Sequence, residues 1–236
     1  MPRVQLGRLN KLLLVWAIIG FVFWGLYISF VTFIPQFLYF YIWTAGVGTL
    51  VWLSRARLET RVRAIRLDER ARFILLGYGM VLAEEVVAAF ANNLSEGFTP
   101  RLFAVRVLQF WAFNLLAFTG WILTWSWMSR SLGFSLRERF YLSGLFGLYA
   151  EKTIYELFSN PLAFFFTAPL EMLTYGLILT PAQLSVAGSG GIKSLRLVRY
   201  AAALLLPILV SVPFILALTI LRSHIPWAFP PLKFIS

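Results

Sequence analysis

Seven apolar runs account for most of this chain. Each is long enough to cross a hydrocarbon core of ~30 Å at ~1.5 Å per residue. They cover roughly 12–34, 37–54, 73–92, 103–127, 140–158, 161–185 and 200–222. A chain of 236 residues that is 60% hydrophobic and 13% charged leaves little material outside the bilayer. The expected fold is therefore an all-α integral membrane protein, a seven-transmembrane helix bundle forming one polytopic domain over 1–236. The fifth run holds Glu151, Lys152 and Glu156, so it needs the bundle interior to insert.

The net charge of +11 would suggest nucleic acid in a soluble protein. Here the positive residues sit between apolar runs, so orientation and anionic headgroups explain them, and no nucleic-acid partner is expected. Of 21 Lys and Arg, three precede the first run, seven fall in 55–72, three in 129–139 and three in 193–199. Arg101, Arg106, Arg222 and Lys233 fall on the other side. The positive-inside rule then gives an N-in/C-out protein of the plasma or cytoplasmic membrane, with a cytoplasmic N-terminus. The loop 55–72 carries Leu58, Val62 and Ile65 at helical spacing, with Glu59 four residues before Arg63, and reads as a basic amphipathic helix on the cytoplasmic leaflet. Ala187–Gly191 reads as a hinge before the last helix, and the Pro-rich tail 223–236 as an external interfacial anchor. Cysteine is absent, which removes disulfides, thiolate metal sites and cysteine catalysis.

Two stretches 67 residues apart align without a gap: Arg70–Asn93 and Arg137–Asn160 share eight of 24 positions, among them Arg72/Arg139, Gly77/Gly144 and Glu84/Glu151. Both start from a basic edge, so the implied repeat is parallel, pairing the third and fourth helices with the fifth and sixth. Each glutamate lies twelve residues from its arginine, ~18 Å along a helix. Gly77, Val81, Glu84, Ala88 and Ala91 share one helical stripe, and Gly144, Leu148, Glu151, Tyr155 and Phe158 form its counterpart. Asn114 and Glu171 fall at similar depth on two further helices. A charged acid at a helix centre costs ~2.5–3.5 kcal/mol to insert, yet Glu84, Glu85, Glu151, Glu156 and Glu171 all lie inside predicted spans. Lys152 and Glu156, at i,i+4 spacing, are expected to neutralise each other.

Two carboxylates meeting in low dielectric need either a proton or a cation between them. Glu84, Glu151, Asn114 and Glu171 are thus candidate proton- or ion-binding residues of a transporter- or channel-like protein. No organic cofactor is expected, and an all-oxygen donor set suits a hard cation. A second class is an intramembrane enzyme on peptide or lipid. The pair Glu84-Glu85, followed by Phe110-x-x-x-Asn114, resembles the first two motifs of the CAAX-protease and bacteriocin-processing family of intramembrane proteases. That resemblance implies a Glu84-activated water and an oxyanion held by Asn114. Ala89 stands where the family has arginine, Asn114 where it has histidine, and no histidine lies in a predicted span. Pro169-Leu170-Glu171 resembles the PxE motif of the small membrane lycopene cyclases, but occurs once, with Met172 in place of the second acid. Microbial rhodopsins are excluded, because 200–222 contains no lysine for retinal. A third class is a non-catalytic subunit, assembling with membrane partners or with copies of itself.

Overall fold

A computed structural model describes residues 8–186 and 196–229. The hinge expected at Ala187–Gly191 and the last part of the tail lie outside the described residues. Those described are helical, with no strand. In chain order the helices are α1 (Arg8–Phe30), α2 (Pro35–Arg63), α3 (Glu69–Glu96), α4 (Pro100–Ala117), α5 (Thr119–Ser131), α6 (Leu136–Ala150), α7 (Thr153–Ser159), α8 (Pro161–Leu184) and α9 (Arg196–His224). Five of these, α1, α2, α3, α8 and α9, are long and apolar enough to cross a membrane. Taken together, α4 and α5 are also long and apolar enough, but they are bent by 49°, as in a broken span or a re-entrant loop.

The chain bends at Phe118, where Thr119 hydrogen-bonds back to the Leu115 carbonyl and also meets the Tyr78 hydroxyl. A hydroxyl bonding back into the preceding turn competes with the helical ladder and bends it.

The fifth expected span, 140–158, is not one helix. After Ala150 the chain breaks, and Lys152 adopts φ 64°, a left-handed conformation uncommon for a side chain with a Cβ. The 7-residue α7 follows, and Asn160 caps α8 by accepting from the Ala163 N–H at 3.2 Å, with Pro161 at the first helical position. Lys152 and Glu156 consequently make no ion pair. The expected glycine-to-phenylalanine stripe survives only through Leu148, and Tyr155 and Phe158 are exposed.

The basic loop 55–72 is also different. Helix α2 runs unbroken through Arg63, with a π-helical stretch at Tyr41–Val47, and only residues 64–68 connect it to α3. Val62 is buried, Arg57 and Arg61 are exposed, and the Glu59–Arg63 ion pair forms at 2.8 Å. Asp68 caps α3 by accepting from the Ala71 and Arg70 N–H groups, which hold its carboxyl below the ordinary carboxylate range. Ser135 and Glu138 form a capping box at the start of α6.

Helix α8 lies at the centre, packed against α1, α2, α3, α6 and α7. Its neighbours approach closely through glycine. A Cβ on Gly20 of α1 would sit 2.5 Å from the Phe166 carbonyl oxygen, and one on Gly144 of α6 would sit 2.5 Å from that of Met172. At its C-terminal end three guanidinium groups donate to successive carbonyls: Arg139 to Gln183 at 3.3 Å, Arg63 to Leu184 at 3.1 Å and Arg72 to Ser185 at 2.8 Å. Cations at this end of a helix satisfy orphan carbonyls and complement the macrodipole. Arg72 and Arg139, equivalent in the aligned stretches, therefore hold one helix end.

Gly144→Ala is expected to destabilise the detergent-solubilised protein by about 1–3 kcal/mol, because the carbonyl of Met172 cannot give way as a side chain can. Gly79→Ala, with nothing within 4 Å of the added carbon, is expected to be neutral or stabilising by up to about 1 kcal/mol. Thermal unfolding of the two variants side by side checks both.

Candidate functional site

A cavity of about 890 Å³ enters the bundle from the end opposite the arginines of α8. Its rim comes from the start of α2 (Gln36), the end of α3 (Asn92), the break after α6 (Lys152) and the end of α9 (Arg222). Its floor includes Trp121 and Ile178, both essentially inaccessible. All five candidate residues, Glu84, Glu85, Asn114, Glu151 and Glu171, line it.

Glu84 and Glu85 are adjacent on α3 and each is 6% exposed. The Tyr39 hydroxyl, one turn into α2, donates to Glu84 Oε1. Glu85 interacts with Asn114 of α4, which is itself buried. Val81, Ala91 and Gly77 are buried with Glu84, so the stripe expected on the third helix faces inward. Small side chains there keep the wall of the cavity close to the neighbouring helices.

Glu151 sits at the end of α6, where the break turns the backbone aside. Unlike Glu84 it is accessible from the cavity. The Tyr175 hydroxyl of α8 donates to Glu151 Oε1. Glu84 and Glu151 are near enough for their charges to interact, and Glu171 is likewise within electrostatic reach of Glu151. Glu84 and Glu151 thus each accept from a tyrosine on another helix, and both line one cavity.

Glu171 is 9% exposed, and its Oε2 has no hydrogen-bond partner among the described residues. Four carboxylates face this space, whereas the cationic residues lining it are Lys152 and Arg222, both toward the mouth. Among the described residues no group of three or more His, Cys, Asp or Glu is arranged to hold one metal ion.

Two participants escape the sequence reading, Tyr39 and Tyr175. Tyr175 had a signal: it lies four residues after Glu171 and so shares its helical face. Tyr39 had none, because only the fold of α2 against α3 brings it to Glu84. A buried hydroxyl pair between Thr44 and Thr174, 2.8 Å apart, also joins α2 to α8 and was not anticipated.

Because the chain contains no cysteine, single introduced cysteines report accessibility directly. For the N-in orientation expected from the basic residues, Tyr155→Cys at the cavity would react with a membrane-impermeant maleimide from outside intact cells. Arg57→Cys is expected to react only after permeabilisation, and the reverse pattern would invert the topology. No family model matches the chain, and no curated protein and no solved structure matches it either.

Proposed function

We propose that this chain is a small transporter-like protein of the cytoplasmic membrane, N-terminus inside, with seven crossings in which the broken α6–α7 segment counts as one. It handles protons or a cation at Glu84 and Glu151, with Asn114 and Glu171 supporting. The observation that carries this reading is the pairing of each glutamate with a tyrosine hydroxyl at a single cavity. Neutral donors orient a carboxylate without cancelling its charge, so the charge is left for a proton or a cation to balance. One-sided access favours a carrier over a permanently open channel. The cavity stops at Trp121 and Ile178, and the far end of α8 is closed by Arg63, Arg72 and Arg139.

A second reading, an intramembrane hydrolase, is favoured by one observation: Asn114 stands beside Glu85 in the same cavity. It requires product formation in detergent with no gradient present.

The decisive measurement is proton and monovalent-cation flux into proteoliposomes. Flux by the wild-type chain should fall by about an order of magnitude or more in Glu84→Gln/Glu151→Gln, since removing both ionisable groups removes the binding step. Unchanged flux in the double variant eliminates the proposal.

A further inference from the structure

The cavity is larger and more aromatic than a bare ion requires. An inorganic cation with six waters, each occupying ~30 Å³, needs on the order of 200 Å³. The cavity measures about 890 Å³, within the range that encloses a small organic molecule. Its inner wall is a connected aromatic surface. Phe118 stacks on Tyr175 at 5.9 Å, Trp121 meets Tyr175 edge-on at 5.7 Å, and Trp121 stacks on Phe146 at 5.6 Å. Ring faces of this kind attract delocalised cations. The protein already makes one such contact at the mouth, where the Arg222 guanidinium lies 4.4 Å over Phe113.

Charge points the same way. Glu84, Glu85, Glu151 and Glu171 line the space against Lys152 and Arg222. Glu171, nine-tenths buried, keeps one carboxylate oxygen without a partner among the described residues. Buried carboxylate oxygens are normally hydrogen-bonded, so an orphan one on a cavity-lining residue calls for a partner. Gln36, Asn92, Lys152 and Arg222 give the rim a polar portion through which a charged solute can enter.

We propose that the cavity binds a freely diffusing monovalent organic cation with apolar substituents, a lipophilic ammonium or phosphonium. Its charge rests against Glu151 and Glu171 and its apolar groups on Phe118 and Tyr149, aromatic lining residues that keep accessible surface in front of Trp121 and Tyr175. This rests on the transport reading of the same carboxylates and names the class of solute carried.

The test uses the purified full-length chain in dodecyl maltoside and two probes, tetraphenylphosphonium and the neutral triphenylphosphine oxide, by equilibrium dialysis. Saturable, one-to-one binding of the phosphonium is expected, with the neutral compound at least about ten-fold weaker. This comparison needs no variant. Glu171→Gln, which keeps the shape of the side chain, should weaken phosphonium binding about ten-fold and leave the neutral compound unchanged. Equal binding of the two probes, no saturable binding, or undiminished phosphonium binding by Glu171→Gln overturns the assignment. If glutamate-dependent ion flux persists without phosphonium binding, the solute class falls and the transport reading stands. If the phosphonium binds as expected but wild-type vesicles show no flux, the site stands and transport falls.

Discussion

Three guanidinium groups meet the last carbonyls of α8, and the walls of the cavity depend on that helix staying where they hold it. Helix α8 supplies Glu171, Thr174, Tyr175 and Ile178 to the cavity, while α1, α3 and α6 pack against its other sides. A helix so placed cannot satisfy its terminal carbonyls with water, and cationic donors near a C-terminus do so while opposing the dipole. Arg139 is 2% exposed, which is tolerable for a guanidinium only because carbonyls of Phe134 and Gln183 accept from it. Lysine, with its donors on a single nitrogen, lacks the planar fork by which Arg139 reaches the Phe134 and Gln183 carbonyls from Nε and Nη1.

That clamp changes the meaning of the basic residues. Arginine between apolar runs reads as an orientation signal, and that reading concerns insertion. In the folded chain Arg63, Arg72, Arg139 and Arg199 donate to the carbonyls that end α8 and α5, so the same residues also fasten helix ends. Arg57 and Arg61 remain exposed, without such a role. The two groups separate by whether a helix-end carbonyl lies within reach, since Arg63 is itself exposed.

Much of the plan was legible in the sequence, for a physical reason. Apolar length is a local property, so α1, α3, α8 and α9 stand near their expected limits, shifted by a few residues where caps such as Asp68 and Asn160 extend or end them. The shared depth of Glu84 and Glu151 follows from rise per residue, also local, and both line one cavity. What was not legible depends on tertiary context. The continuation of α2 through Arg63 depends on Val62 being buried and on carbonyls of α8 waiting for its arginine. Tyr39 reaches Glu84 across 45 residues of sequence, a pairing no periodicity encodes. The bend at Phe118 required knowing that Thr119 would bond backward to Leu115.

The break after Ala150 is where the two aligned stretches part. In α3 the helix continues past Glu84 to Glu96, so Glu84 is enclosed, with its neighbour Glu85 supplying the second acid. In the second stretch lysine replaces that neighbour. A continued helix would carry Lys152 and Glu156 onward into the bundle, each needing a partner in low dielectric. The left-handed turn at Lys152 instead puts its ammonium at the mouth of the cavity and ends α6 on Glu151, leaving that carboxylate accessible. Strained backbone of this kind persists only where surrounding structure holds it, and it gathers at functional positions. One glutamate is therefore sealed beside a tyrosine and the other opened beside a tyrosine. In the proposed transport role, two carboxylates with unequal access would hand a charge from water to the interior.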